Sequence, residues 1–360
     1  MEKALLSICL LLTWMGYAGG VGADYRISLQ PTDPACIVGD PDHYTWGASP
    51  MKGRDGRYHL FYSRWKKEEG FSAWLTGSEV AHAVSESVEG PYRFRDVALP
   101  ARGKRYWDGL NTHNPTIHCF DGKYYLYYMG TTGDGKNTEP KLNMNHRNSQ
   151  RIGVAVAASP DGPWTRWDKP LIDVSSDPQA PDALMTSNPS VTRMPDGRFL
   201  MVYKAVGKKV KGIFGGPVVH LCATSDSPMG PFKKELKPIF TKKGTLFAAE
   251  DPYIWCQDGL FYAIVKDMRG TFTYAGRSLA LFFSENGLDW QPAAEPLITR
   301  PVIHWRDGSS NRLKLLDRPQ LLLENGKPTH IFLAAFPDES NREGLPPYPT
   351  FNIHFPLIQK

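Results

Sequence analysis

Apolar and aromatic residues fall into short runs punctuated by Gly, Pro, Asp and Asn, and the pattern repeats along the chain. Five segments share one design: a polar residue before a Pro, an apolar strand, a two-residue turn, and an aromatic-rich strand. The turns are Asp55-Gly56, Asp121-Gly122, Asp196-Gly197, Asp258-Gly259 and Asn325-Gly326. Such pairs tolerate the positive φ angles of a type I′ turn, so each predicts a hairpin. The strands that follow are YHLFYS, YYLYYM, FLMVYK, FYAIVK and the weaker THIFLA, suited to burial on both faces. The prolines Pro50, Pro115, Pro189, Pro252 and Pro319 lie six to eight residues ahead of the turn glycines. Each is expected at the first residue of an inner strand, where a missing N–H costs no ladder bond.

Four units continue into a third strand (EVAHAVSES, RIGVAVAAS, VVHLCATSD, SLALFFSEN) and then into Gly90-Pro91-Tyr92, Gly162-Pro163-Trp164, Gly230-Pro231-Phe232 or Gly287-Leu288-Asp289-Trp290, whose aromatic opens a fourth strand. The fifth unit ends with FNIHFPLI and lacks this tail. Turn glycines separated by 66, 75, 62 and 67 residues leave room for four strands and their loops. The pattern predicts an all-β, single-domain, five-bladed β-propeller, closed by a strand from Tyr25 to Gln30. A β-sandwich with accidental hairpins would not keep three motifs in phase.

The rest of the sequence adds boundaries. Residues 1–23 read as a secretory signal cleaved after Ala23, which leaves 24–360 as the propeller and makes the product secreted or periplasmic. No later run is long enough to span a membrane. Cys36, Cys119, Cys222 and Cys256 show neither a CxxC pair nor metal-ligand spacing; buried thiols are expected, with a disulfide as the alternative. The net charge of +5 is modest. Lys208-Lys209 with Lys211, and Lys233-Lys234, read as solvated loops or as contacts for an anionic glycan. There is no nucleotide-binding fingerprint and no zinc spacing, so no nucleic acid, cofactor or metal is expected.

A propeller brings the starts of its inner strands together around one axis. The residue pairs before the prolines are Ala48-Ser49, His113-Asn114, Ser187-Asn188, Glu250-Asp251 and Asp317-Arg318. Polar groups near a crowded axis cost solvation unless they serve a ligand, an ion or one another. A carboxyl crowded by a second carboxylate and partly desolvated holds a proton near neutral pH, which Glu250 beside Asp251 is expected to do.

With WGASPMKGRDGRYHLFYSRW, NTHNPTIHCFDGKYYLYYMGTT, SNPSVTRMPDGRFLMVYKA, AEDPYIWCQDGLFYAIVKDM and LDRPQLLLENGKPTHIF, the chain resembles the five-bladed propeller glycosidases of families 43 and 32 over about residues 40 to 358. The resemblance implies a glycoside hydrolase acting on a poly- or oligosaccharide, most simply releasing a terminal sugar, with inversion as the family-level outcome. Glu250 matches the Glu-x-Pro pattern of the general acid. Asp317, kept ionised by Arg318, is the candidate base, and Asp251 the modulator. Asp108 and Asp267 are reserves, and Lys266-Asp267 reads alternatively as an ion pair. His113, Asn114 and Asn188 suit sugar hydroxyls, Trp46 and Trp107 suit a sugar face, and Arg318 and Lys266 suit a phosphate if the enzyme were a phosphorylase. The resemblance also allows an axial structural Ca²⁺ near His113. The chain departs from the families at Ala48-Ser49 and Asn114, where they usually present Asp. This departure keeps open a carbohydrate-binding propeller without hydrolysis. A monomer is expected.

Overall fold

A computed structural model of the chain describes residues 22–360, so nearly all of the expected signal segment lies outside the described residues. Five antiparallel sheets surround a common axis. The first four blades run His43–Lys52, Tyr58–Lys66, Glu79–Ser85, Arg93–Leu99; Asn111–Phe120, Lys123–Thr131, Arg151–Ala157, Thr165–Arg166; Met185–Arg193, Phe199–Val206, Val218–Ser225, Lys233–Ile239; and Ala249–Gln257, Leu260–Asp267, Ser278–Ser284, Gln291–Thr299. Each fourth strand begins directly after the aromatic named above.

The fifth blade is Ser310–Glu324, Lys327–Pro337 and Phe351–Gln359. Its outer edge is completed from the other end of the chain. Ile27–Leu29 pairs with Leu357 to Gln359, and Ile37–Gly39 pairs with Phe351 to Ile353. The expected closure is therefore present, delivered in two short pieces rather than one.

Apolar faces meet between neighbouring blades. Leu60, Ala83, Leu322 and Phe332 join the fifth to the first, and Tyr127, Val154, Met201 and Leu221 join the second to the third. Burying one such large side chain contributes about 1.5–3 kcal/mol, which makes the blades one cooperative unit. No helix among the described residues is long and apolar enough to cross a membrane.

The turns split into two kinds. Asp121-Gly122, Asp258-Gly259 and Asn325-Gly326 have positive φ at both residues, as type I′ requires. At Asp55-Gly56 and Asp196-Gly197 only the Gly is positive. There the loop is longer, closed by Gly53 N to Arg57 O and by Met194 N to Arg198 O, and the type I′ expectation fails.

The prolines are not at strand entries. Each inner strand carries a β-bulge in its middle, between Trp46 and Ser49, His113 and Thr116, Ser187 and Ser190, Glu250 and Tyr253, and Asp317 and Gln320. Four prolines occupy these bulges, where the ladder is already broken. The residue before each is left-handed: Asn114, Asn188, Asp251 and Arg318 have φ of 51° to 54°. In the first blade the equivalent left-handed residue is Gly47, φ 64°, so Ala48 stands where the other blades have Pro. The first-blade pair that faces the axis is therefore Trp46-Gly47, not Ala48-Ser49.

The expected burial of the thiols holds for Cys36 and Cys222; Cys119 is exposed and Cys256 half-buried, and all four are free.

Candidate active site

The five bulges build two tiers around the axis. Gly47, Asn114, Asn188, Asp251 and Arg318 form the deeper one. Asn114 Nδ2 donates to Asn188 Oδ1 at 2.9 Å, Asn188 Nδ2 donates to Asp251 Oδ1 at 2.6 Å, and Arg318 Nη1 stands 3.7 Å from that same oxygen. Arg318 Nη2 closes the circuit by donating to Asn114 O at 3.0 Å. The guanidinium crosses the centre of the molecule and is fully buried. It can do so because the first blade has no side chain at 47: a Cβ there would lie 2.9 Å from Arg318 Cγ.

This geometry corrects three expectations. Arg318 is a buried tie between blades rather than a ligand for sugar or phosphate. It pairs with Asp251, and Asp317 is held instead by Lys266 Nζ at 2.8 Å and Arg277 Nη1 at 3.5 Å. A calcium ion, which takes six to eight oxygens, does not fit an axis filled by a cation. His113, the other residue named for it, uses Nδ1 on Ser78 Oγ at 2.7 Å.

The upper tier lines a cavity of about 190 Å³. Trp46, Trp65, Phe71 and Trp74 make one wall; His113, Gln150, Lys204, Glu250, Lys266 and Asp317 supply the polar side, and Asn114, Asn188 and Asp251 of the deeper tier form the floor. Trp74 comes from the short helix Phe71–Leu75 and lies 5.0 Å, ring to ring, from His113. Burial, with the Arg318 charge adding to it, pushes His113 down to about 3, so the imidazole is neutral. Gln150 is almost wholly buried and its Nε2 has no protein partner.

Glu250 sits between two lysines. Lys204 Nζ reaches Oε1, and Lys266 Nζ reaches Oε2 at 2.9 Å. Burial alone would raise the Glu250 carboxyl, but these two ammonium groups outweigh it and hold the group well below the usual carboxylate range. The expectation that Glu250 carries the raised pKa is thus reversed. Asp251 carries it instead, pushed up to about 6 by burial first and by the Glu250 charge second. Burial would lower the Lys266 ammonium, yet Glu250 and Asp317 carry it above its usual range.

Lys266 also corrects the Glu250/Asp317 pairing. Because its Nζ is 2.9 Å from Glu250 Oε2 and 2.8 Å from Asp317 Oδ2, those oxygens are less than about 6 Å apart, below the 6.5–9.5 Å expected of an inverting pair. A lysine fills the space between them. They act as one anionic cluster rather than as two groups straddling a sugar.

Three residues named from sequence lie elsewhere. Trp107 packs 5.7 Å from Tyr128 in the second blade and donates to Trp167 O. Asp108, fully buried, binds Arg102 Nε at 2.7 Å and accepts from Tyr128 OH at 2.6 Å. Asp267 accepts from the N–H groups of Thr271, Phe272 and Thr273 and shapes the loop after its strand, so it forms no ion pair with Lys266. Lys204, Gln150, Trp65, Phe71 and Trp74 were missed. Lys204 had a signal: FLMVYK and FYAIVK end in lysines opposite Ser187 and Glu250, the same register in neighbouring blades. Among the described residues one ligand-type cluster, His59, His82 and Asp161, lies between the first and second blades at their other end. There His59 Nδ1 already bonds His82 Nε2 at 2.9 Å, and Arg95 Nε pairs with Asp161 at 3.0 Å.

The split between the two carboxyls predicts a pH signature. Native Asp251 keeps a proton that the unfolded chain releases, so its stabilising contribution is complete below about 3.8 and lost as pH rises through about 6. Glu250 runs the other way, contributing above about 4.5 and losing its contribution as pH falls. In urea unfolding from pH 4 to 7.5, the native protein should lose about 3 kcal/mol through this carboxyl as pH rises, and Asp251→Asn should abolish that part of the decline. Parallel curves for the two proteins would refute the assignment.

No protein-family model matches the chain. A probable arabinan endo-1,5-alpha-L-arabinosidase C of Aspergillus fumigatus is 27% identical over 155 residues, which is 42% of this chain and 38% of that protein's length. The chain therefore aligns with well under half of this curated relative. Among solved structures, a family 117 glycoside hydrolase of the marine bacterium Zobellia galactanivorans superposes with a TM-score of 0.60 at 17% identity, over 93% of this chain and 90% of that one. An alpha-L-arabinofuranosidase from Lactobacillus brevis gives 0.58 at 13% identity, over 91% and 92%. Their shared architecture identifies this chain's fold as the five-bladed propeller on which glycoside hydrolases are built.

Proposed function

We propose that the protein is a glycoside hydrolase that removes a terminal sugar from a poly- or oligosaccharide. The observation that carries this reading is the cluster of three carboxyl groups under an aromatic wall, interleaved with fixed cations. Asp251 stays protonated up to about pH 6 and is the proton donor for the leaving oxygen. Glu250 and Asp317, paired with Lys204 and Lys266, face the positive charge that develops on the sugar, and one of them accepts the proton of the attacking water. The cavity holds the volume of about six waters, which suits one sugar ring rather than a chain of them. That ring rests its apolar face on Trp46 and Trp74 and turns its hydroxyls to Asn188, Gln150 and His113.

In this reading the chain works as a monomer, secreted or periplasmic after loss of residues 1–23. A second reading, sugar binding without hydrolysis, is favoured by one observation: Arg318 fills the space above Gly47, where a further side chain would point at the axis. The phosphorylase reading loses its two anion ligands, since Arg318 is buried and Lys266 is pinned between carboxylates.

Incubation with a panel of plant and algal oligosaccharides, with and without phosphate, separates these readings. Hydrolysis predicts new reducing ends independent of phosphate; calorimetric binding with no release from any bound glycan would overturn it. With a cleaved substrate in hand, Trp74→Ala should raise KM about tenfold with kcat nearly unchanged, because the ring supplies binding area alone. An unchanged KM would remove Trp74 from the sugar platform.

A further inference from the structure

Three loops stand side by side along one margin of the cavity. Residues 207–217 follow the strand that carries Lys204, 241–247 lead into the strand that carries Glu250, and 268–277 follow the strand that carries Lys266. They are tied together and to the site. Val218 N donates to Leu246 O at 2.9 Å, the Phe247 ring lies 5.4 Å from Lys204 Nζ, and Arg277 reaches Asp317.

These loops hold six exposed cations, Lys208, Lys209, Lys211, Lys242, Lys243 and Arg269, and not one carboxylate. Their charge alone exceeds the +5 of the whole chain. Among the described residues none of the six has an acidic partner within 4.0 Å, whereas other surface lysines, such as Lys237 with Asp289, do. Like charges so gathered repel one another and gain from an external polyanion. Apolar surface is exposed among them: Ile213 is 69%, Leu246 61% and Tyr274 88% exposed. The opposite margin is mixed instead: Lys66 pairs with Glu68 at 3.5 Å beside Lys67 and Glu69, and Arg342 pairs with Glu339 at 2.6 Å beside Asp338 and Glu343.

We propose that this lip binds the body of an anionic polysaccharide, bearing sulfate esters or uronic acids, whose terminal residue enters the cavity. The proposal rests on the saccharide-site reading above but does not require bond cleavage. Within the cavity Lys204 and Lys266 are already neutralised by Glu250 and Asp317, so the terminal sugar is uncharged and the anionic groups belong to the residues that follow it. Those residues lie over the third and fourth blades, where the cations have no acidic partner of their own. Exposed Tyr274 offers their rings a flat face.

The test compares two polymer pairs by affinity electrophoresis: a sulfated galactan with its desulfated form, and a polygalacturonate with its carboxyl-reduced form. At low salt the native protein should bind at least one anionic member about tenfold more tightly than its neutral counterpart. That advantage should vanish near 1 M salt, where the screening length falls to about 3 Å. Which pair responds distinguishes sulfate from carboxylate. A variant with all five lip lysines changed to Gln, checked for an unaltered thermal midpoint, should lose the advantage. The proposal is overturned if neither anionic polymer is preferred, if the variant retains the preference, or if single-stranded DNA of equal charge density binds as tightly as the better polysaccharide. Reducing ends are assayed in the same samples. Preferential binding without release supports the lip and counts against hydrolysis; release without charge-dependent binding does the reverse.

Discussion

Replacing Glu250 with Gln is expected to lower kcat/KM by about 10²- to 10⁴-fold on any substrate the protein cleaves. The substitution keeps the side chain's shape and removes the charge that Lys204 and Lys266 share. It has a second, more diagnostic consequence. The Glu250 charge is one of the two causes that raise Asp251, so in the variant the residual activity should lose its proton donor at lower pH than in the native protein, where the limb is expected near 6. Initial rates from pH 4 to 8 measure both effects. A folded Glu250→Gln protein with native turnover and a native pH limb would show that neither Glu250 nor its coupling to Asp251 takes part. Stability should suffer less than activity, because Lys266 keeps Asp317 as a partner.

Arg318→Met should have the largest effect on the fold itself. The native guanidinium is wholly buried, bridges three blades, and is the positive charge nearest to Asp251 in the deeper tier. Removing one partner of such a pair costs about 3–5 kcal/mol, because the other is left buried and uncompensated. Asp251 should then rise above 6, since the Arg318 charge is one of those that lower it. Urea unfolding at pH 5 and pH 8 separates these effects: the loss should be smaller at pH 5, where Asp251 is neutral without help. Equal losses at both pH values would mean that Arg318 acts by packing alone. Gly47→Ala attacks the same contact from the other side. Its Cβ would meet Arg318 Cγ at 2.9 Å in a left-handed backbone that costs a non-glycine residue about 1–2 kcal/mol.

The prolines show how local signals mislead about register. In four blades the Pro follows directly after the left-handed residue of a bulge, and counting back from it finds the axial pair. In the first blade Pro50 lies two positions beyond the equivalent bulge site. Counting back from it finds Ala48 and Ser49, while the residues that reach the axis are Trp46 and Gly47. A bulge inserts a residue without any composition of its own, so only the pairing of Trp46 with Ser63 and Ser49 with Phe61 reveals the offset. The same limit explains Trp107, Asp108 and Asp267. Each sits near a blade's site end in sequence, yet its partners are a second strand of its blade, the blade's outer edge or its own loop.

Blade number, strand order and ring closure were legible from the chain alone because they rest on neighbours: turn residues, apolar runs, and an unpaired last unit matched by an unpaired beginning. So was the gathering of Glu250, Asp251 and Asp317 at one end of the axis. Which of these carboxyls keeps its proton was decided only in three dimensions. Lys204, Lys266 and Arg318 arrive from three different blades, and it is their distances of 2.5 to 3.7 Å, rather than the sequence adjacency of Glu250 and Asp251, that set the charges. Electrostatic energy falls with separation in space, and a propeller makes separation along the chain a poor guide to it.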